Sequence, residues 1–256
     1  MSGQCAFVPI HRVDAPRARV YCFHHAGGSA ASFSSWAGRL AAGIDIWAAQ
    51  LPNRFAAALQ PRTTVHAVMP AMVAAFDALR AGDGGAVPFA FYGHSLGALF
   101  AYELARTLSA VRETGPTILA VSGHRAPNRP LRRAALYDLD DESLVVQLRA
   151  LGGIADGLLD DTRLWRFILP MLRADLYMSE AYSPTAAVPL AIPLLGFRGE
   201  SDPLLALGEF DDWAMHTSAG CRLYTLPGGH FFDDAATRRL QDLLSDALLR
   251  AVEAPA

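Results

Sequence analysis

The sequence predicts an α/β protein in which a mainly parallel β-sheet is covered by helices on both faces. Short apolar runs alternate along the chain with longer segments of helical periodicity, which is the order of strands joined by crossover helices. The runs are continuously apolar, which indicates strands buried on both faces. With 256 residues, 52% of them hydrophobic, the chain is long enough for one large domain with a substantial core.

The expected elements follow one another regularly. Each predicted strand is an apolar run that ends in turn-forming residues, and each predicted helix has apolar residues at helical spacing. This alternation predicts a single domain over residues 1–256. The predicted strands are residues 20–24, 44–51, 89–92, 117–121, 192–197 and 222–226, and the predicted helices are residues 32–40, 64–80, 96–108 and 234–252.

Residues 129–184 interrupt this alternation. No convincing strand pattern occurs in them, but residues 144–151 and 164–176 each carry an apolar stripe at helical spacing. We predict a helical cap, or lid, inserted between two strands of the sheet. The alternative is a pair of crossover helices packed directly on the core.

Composition excludes several classes of protein. A formal net charge of -3 provides no basic surface for nucleic acid, and no segment approaches the roughly 20 apolar residues that span a bilayer. The cysteines, Cys5, Cys22 and Cys221, are odd in number and scattered, which argues against a disulfide framework or structural zinc. The N-terminus has no signal-peptide pattern. We therefore expect a cytoplasmic protein without membrane or nucleic-acid partners, and a monomer because no coiled-coil pattern appears.

Residues 93–97 read Gly-His-Ser-Leu-Gly, a G-x-S-x-G pattern between a predicted strand and a predicted helix. This strand–turn–helix context is typical of the nucleophile elbow of the α/β-hydrolase fold. A serine on so sharp a turn needs small neighbours, and the helix N-terminus favours developing negative charge. We predict Ser95 as the nucleophile, whereas the alternative is a tight turn that only starts a helix. His94 is expected to pack away from the hydroxyl.

In this fold the acid and then the base follow the serine along the chain, each after a later strand. Asp202 follows one predicted strand and His230 follows the next. We predict that His230 is the general base and that Asp202 orients its imidazole. Other carboxylates compete with Asp202 for this role. They are Glu200, Asp211, Asp212, Asp233 and Asp234, of which the last two follow the histidine and so have the wrong order.

The oxyanion hole is expected to use two backbone N–H groups. One belongs to Leu96, directly after the serine, and the other is most simply that of Ala26, in a glycine-rich loop after an early strand. The alternative is that this loop is only a turn. His24 and His25 precede Ala26, but no third ligand lies at a useful spacing, so we predict no metal and no cofactor.

Several segments distributed over nearly the whole length identify the chain further. They are HHAGGSAASF (24–33), QLPNR (50–54), YGHSLGALFAYELAR (92–106), SGHRAP (122–127), LGG (151–153), LPMLRADLYMSEAY (169–182), RGESDP (198–203) and PGGHFF (227–232). With them the chain resembles the type II thioesterases, the free-standing editing enzymes of polyketide and nonribosomal-peptide assembly lines. The elbow recurs in many hydrolases, whereas HAGG, LRAD and GGHFF are more specific to this family.

Two segments differ from the family pattern, at three positions. His24 stands where the family usually has proline, and residues 52–55 read Pro-Asn-Arg-Phe where it usually has Pro-Gly-Arg-Glu. Asn53 tolerates the left-handed conformation that glycine allows, while the missing acidic residue at Phe55 alters how that loop is anchored. Neither difference affects the predicted triad, so both concern substrate or partner preference.

The resemblance implies a substrate and a partner. The substrate would be an acyl group bound as a thioester to the phosphopantetheine arm of a carrier protein, and the helical lid would form the acyl pocket. Two alternatives remain open at this point. One is a small-molecule carboxylesterase or lipase-like hydrolase with the same triad, and the other is a catalytically silent binding protein on the same fold.

Overall fold

A computed structural model describes residues 5–52, 62–82, 87–111, 115–153, 156–185, 188–206 and 208–253 of the chain. Its framework is one sheet of 7 strands. The strands in chain order are β1 (Ala6–His11), β2 (Ala18–Phe23), β3 (Ile44–Gln50), β4 (Phe89–His94), β5 (Ile118–Ser122), β6 (Leu194–Gly199) and β7 (Cys221–Leu226). Their order across the sheet is β1-β3-β2-β4-β5-β6-β7.

Helices cover the two faces of the sheet, and the predicted α/β-hydrolase fold is confirmed. Six strands are parallel to one another, and β1 is antiparallel to its neighbour β3. The α-helices are α1 (Val65–Ala81), α2 (Leu96–Val111), α3 (Asp141–Leu151), α4 (Asp156–Asp160), α5 (Thr162–Glu180) and α6 (Asp234–Glu253). Most of the predicted strands and helices agree with these bounds to within three residues.

The strand β1 was absent from the prediction. It lies at the edge of the sheet, where Ala6 pairs with Gln50, and most of its side chains are exposed or half-buried. Pro9 interrupts its sequence and the pairing shifts between Pro9 and His11. An edge strand with proline and little buried apolar surface leaves only a weak pattern in the sequence.

The helix predicted over residues 32–40 is shorter in the structure and of a different type. The segment forms a 3₁₀ helix, Ala30–Trp36, which begins after Ser29. Ala37 leaves the helical region with a ψ of 121°, and Gly38 has a positive φ of 68°. A backbone in these conformations cannot continue an α-helix. Asn53 and Phe55, where the sequence differs from the family pattern, lie outside the described residues.

The core has one apolar cluster on each side of the sheet. The cluster on one side contains Phe91 of β4 and Phe100 of α2, and the cluster on the other side contains Ile46 of β3 and Leu240 of α6. The strands therefore supply apolar side chains to both faces, which explains their continuous hydrophobic pattern. Among the described residues, no helix has both the length and the apolarity needed to cross a bilayer.

The helices α3, α4 and α5 lie between β5 and β6, in the segment predicted to be a lid. The described part of residues 129–184 contains no strand. These helices have a small apolar cluster of their own, which includes Leu148 and Leu172 and against which Ala26 of the sheet domain packs. The insertion is thus helical and has its own core, while its function as a lid stays a prediction.

The base of this insertion is joined to the rest of the domain through Glu180, the last residue of α5. Its buried carboxylate accepts a hydrogen bond from Arg133 Nη2 at 2.6 Å and another from the Tyr137 N–H at 3.2 Å. Arg125 Nη2 donates to the Glu180 carbonyl oxygen at 3.0 Å. The segment that leads into the insertion is therefore hydrogen-bonded to the C-terminal end of α5.

Candidate active site

The turn between β4 and α2 holds Ser95 in a strained conformation. Ser95 has a φ of 55°, the only positive φ of a non-glycine residue in the described part of the chain. Its N–H donates to the Ser122 carbonyl oxygen at 2.8 Å. A Cβ at Gly93 would lie 2.1 Å from the Gly97 oxygen, and one at Gly97 would lie 2.0 Å from the Phe23 oxygen. Only glycine fits at either position, which explains the G-x-S-x-G spacing.

The structure brings Ser95, His230 and Asp202 into one hydrogen-bonded chain. His230 Nε2 lies 3.1 Å from Ser95 Oγ, and His230 Nδ1 lies 2.9 Å from Asp202 Oδ2. All three residues are buried. Because a carboxylate can only accept here, the imidazole donates from Nδ1, and Nε2 is left to accept the serine proton.

The loops after β6 and β7 are built against each other, and this places Asp202 beside His230. A Cβ at Gly199 would lie 2.0 Å from the Gly229 oxygen, so the two loops touch through their backbones. The Ser201 N–H donates to the Gly228 carbonyl oxygen at 3.0 Å. The second oxygen of Asp202, Oδ1, accepts from the Leu204 N–H at 2.9 Å. Both oxygens of this carboxylate therefore have fixed partners.

The competing carboxylates have other surroundings. Glu200 is exposed, Asp211 lies 3.8 Å from Arg198, and Asp212 pairs with Arg129. Asp233 accepts from the Ala236 N–H at the start of α6, which is a helix-capping contact. Asp234 is the first residue of that helix. Of the predicted candidates, only Asp202 is hydrogen-bonded to His230.

The two residues predicted for the oxyanion hole lie in different elements. Leu96 is the first residue of α2, where backbone N–H groups lack an acceptor within the helix. Ala26 is half-buried in the loop after β2. The next residue, Gly27, has a φ of 76°, and its N–H donates to Asp175 Oδ2 of α5 at 2.8 Å.

Two further buried histidines lie near the triad. His94 Nδ1 is 2.8 Å from Ser122 Oγ, and its ring centroid is 5.2 Å from that of His230. Burial, with the nearby His230 and His25 rings, holds the pKa of His94 well below its usual value. Burial also lowers the pKa of His124 to about 3. Both rings are therefore neutral near pH 7, and neither places a positive charge beside His230.

Two residues near this site, His124 and Asp175, were not predicted from the sequence. His124 binds the insertion, with its Nε2 at 3.1 Å from Ser179 Oγ of α5, and Asp175 binds the loop that contains Ala26. Both residues lie in segments that carry the family resemblance, SGHRAP and LRAD. These segments indicated that the two residues could matter, but the spacing of residues in the sequence did not show what their side chains contact.

This fold, with a hydrogen-bonded Ser-His-Asp chain at the carboxyl ends of β4, β6 and β7, defines the α/β-hydrolase class. A family model described as Thioesterase domain matches residues 18–248. The chain therefore belongs to the thioesterase family.

Individual relatives agree with this assignment. Thioesterase PikA5 of Streptomyces venezuelae is 33% identical, over 96% of this chain and 86% of its own length. The gramicidin S biosynthesis protein GrsT of Aneurinibacillus migulanus is 31% identical, over 88% of this chain and 87% of its own. The solved structure of BorB, a type II thioesterase from the borrelidin biosynthetic cluster, superposes with a TM-score of 0.79. It is 30% identical and covers 95% of this chain and 97% of its own.

Proposed function

We propose that this protein is a type II thioesterase that removes aberrant or stalled acyl groups from the phosphopantetheine arm of carrier proteins. The observation that carries the proposal is the Ser95–His230–Asp202 hydrogen-bond chain in a member of the thioesterase family. Relatives named for gramicidin S and borrelidin biosynthesis support an assembly line as the source of the substrate.

The acylation step follows from the positions of these side chains. Ser95 Oγ attacks the thioester carbonyl carbon as its proton moves to His230 Nε2, and Asp202 stabilises the imidazolium. The negative charge on the carbonyl oxygen is stabilised by the N–H groups of Leu96 and Ala26. The C–S bond then breaks, the proton passes from His230 to the leaving sulfur, and an acyl ester remains on Ser95.

Water completes the reaction in the reverse sense. His230 takes a proton from a water molecule, whose oxygen attacks the ester carbonyl, and the C–Oγ bond breaks as Ser95 is reprotonated. The free acid leaves and the carrier thiol is regenerated. We assign the acyl chain to the insertion formed by α3, α4 and α5, whose apolar cluster suits an aliphatic group.

The mechanism is tested by Ser95→Ala, which removes the nucleophile from the hydrogen-bond chain. We expect thioester hydrolysis to fall to background while the circular dichroism spectrum and the melting temperature stay close to those of the wild type. Ser34→Ala, at an exposed serine of the 3₁₀ helix, is the matched control and should keep full activity. Unchanged turnover in Ser95→Ala would contradict the mechanism.

The substrate class is tested by a panel of acyl-carrier proteins, acyl-coenzyme A thioesters and oxygen esters of matched chain length. We expect the highest kcat/KM on the carrier-bound thioesters. A clear preference for oxygen esters would favour the carboxylesterase alternative, and no hydrolysis of any substrate would favour the binding protein.

We further propose that the enzyme is cytoplasmic and monomeric. The free thiols of Cys5, Cys22 and Cys221 are compatible with the reducing conditions of the cytoplasm. Light scattering on the purified protein tests the oligomeric state.

A further inference from the structure

The LRAD segment of α5 contacts the loop that contains Ala26. Asp175 is 1% exposed, and its Oδ2 accepts a hydrogen bond from the Gly27 N–H at 2.8 Å, across 148 residues of sequence. A buried carboxylate is costly unless it is hydrogen-bonded, and a bond from N–H to an ionised oxygen is stronger than a neutral one. The contact therefore fixes the loop to the insertion more firmly than apolar packing alone would.

A second contact on the same face of α5 strengthens this junction. Leu172 lies three residues before Asp175, one helical turn away on the same side of the helix. A Cβ at Gly27 would lie 2.9 Å from Leu172 Cδ1, so the loop backbone rests directly on this side chain. Gly27 also has a φ of 76°, a conformation that favours glycine.

These contacts set the orientation of the peptide groups around Ala26. The Gly28 N–H donates to the His25 carbonyl oxygen at 3.0 Å, which fixes the peptide between His25 and Ala26. The Asp175 bond to Gly27 fixes the next peptide. In a trans peptide the N–H points opposite to the carbonyl, so the Ala26 N–H is directed away from the inside of the turn.

We propose that Asp175 is a positioning residue that holds the Ala26–Gly27 backbone in the geometry required for oxyanion stabilisation. The oxyanion hole is then complete only while α5 is docked on the sheet domain, so the insertion controls the chemical step as well as the acyl chain. This inference rests on the proposed function, because it requires Ala26 to be an oxyanion donor.

The test compares Asp175→Ala with Asp175→Asn on the acyl-coenzyme A thioester that the panel shows to be cleaved fastest. Loss of the acceptor in Asp175→Ala should lower kcat about 100-fold, as loss of an oxyanion donor does, with KM little changed. Asp175→Asn keeps an acceptor oxygen and should recover kcat to within about tenfold of the wild type. Asp160→Ala, at an exposed carboxylate of the same insertion, is the control and should match the wild type.

A second measurement distinguishes positioning from a general structural role. A trifluoromethyl ketone analogue of the same thioester forms a tetrahedral adduct with Ser95, and its affinity should fall in parallel with kcat in Asp175→Ala. If Asp175→Ala does not fold, Asp175→Ser replaces it, because its hydroxyl is one bond shorter and cannot reach the Gly27 N–H; the same loss is expected.

Three results would overturn the inference. The first is a kcat in the folded Ala or Ser variant within about threefold of the wild type. The second is a change confined to KM and melting temperature, and the third is an equal loss of kcat in the Asn variant. Ser95→Ala separates the two proposals: if it abolishes hydrolysis while Asp175→Ala is fully active, only the role of Asp175 is rejected.

Discussion

At the scale of single residues, the Asp202 carboxylate shows how the site fixes the tautomer of the His230 ring. One oxygen accepts from His230 and the other from the Leu204 N–H, so the carboxylate cannot rotate without losing a bond. An amide at this position has one donor and one acceptor group. It therefore cannot satisfy the Leu204 N–H and also accept from the histidine.

This geometry predicts the effect of Asp202→Asn. The amide would donate to His230 Nδ1 and move the ring proton to Nε2. A protonated Nε2 cannot accept a proton from Ser95, so we expect kcat to fall on the order of 10⁴-fold. His230→Ala should cost more activity. The control Glu200→Gln, at an exposed position, should stay within about twofold of the wild type. A larger loss in Glu200→Gln than in Asp202→Asn would show that the acid is assigned incorrectly.

The buried His124 predicts a pH dependence of stability. Burial lowers its pKa from 6.5 to about 3, so between these values the unfolded chain binds the proton and the folded protein does not. The free energy of unfolding therefore decreases as the pH falls through this window, by up to about 1.4 kcal/mol per pH unit for this group. Stability from the neutral ring is fully present above pH 6.5.

We expect His124→Gln to have a shallower dependence than the wild type between pH 6 and pH 4, measured by urea unfolding. Buried His94 still contributes to the slope that remains. Ser179→Ala is the matched control, because it removes the hydrogen-bond partner but keeps the histidine and should keep the slope. Parallel curves for the wild type and His124→Gln would reject this explanation.

The residues of the site differ in how far sequence predicts them. Ser95 and its glycines form a local pattern whose physical cause is the steric limit of one turn, so five residues suffice. Asp202 and His230 follow from the order of strands in the fold. The bond between Asp175 and Gly27 spans 148 residues, and no local pattern contains that pairing.

At the scale of elements, the close approach of α2 to β2 depends on Gly97. A methyl group at this position would meet the Phe23 oxygen at 2.0 Å, a backbone atom that cannot turn away. We expect Gly97→Ala to lower the free energy of unfolding by about 3 kcal/mol or more, measured by urea denaturation. In contrast, Gly157 of α4 has no atom within 4 Å of its Cβ position, and Gly157→Ala should leave stability equal or slightly higher. Equal stability of the two variants would contradict this account.

Helices and strands could be predicted from the sequence where buried apolar residues recur with the regular period of that element. The central strands and the long helices have that pattern, and the structure reproduces them. The edge strand β1 and the 3₁₀ helix Ala30–Trp36 lack that pattern. The side chains of β1 are exposed or half-buried, and the 3₁₀ helix is too short to show a period. Tertiary contacts decide the conformation of such segments.

At the scale of the whole molecule, the insertion depends on the buried carboxylate of Glu180. Glu180→Ala removes the carboxylate that lies 2.6 Å from Arg133 Nη2. Because Arg133 is partly exposed and water can solvate it, we expect the free energy of unfolding to fall by about 2 kcal/mol. Limited proteolysis should cut residues 129–153 faster in this variant. Asp160→Ala breaks the exposed ion pair with Arg149 and should lower the free energy of unfolding by about 1 kcal/mol or less. Equal proteolysis of both variants would show that Glu180 does not fasten the insertion.

The distribution of the triad over the sheet has a consequence for folding. The hydrogen bond between Ser95 and His230 joins residues 135 positions apart, and His230 follows β7, the strand at one edge. Distant pairings close long loops and form slowly. During refolding from urea, the fluorescence of Trp47 in β3 can recover before β6 and β7 have joined β5. Turnover therefore marks the end of sheet assembly, and a lag between the two signals measures the time that β6 and β7 need to join β5.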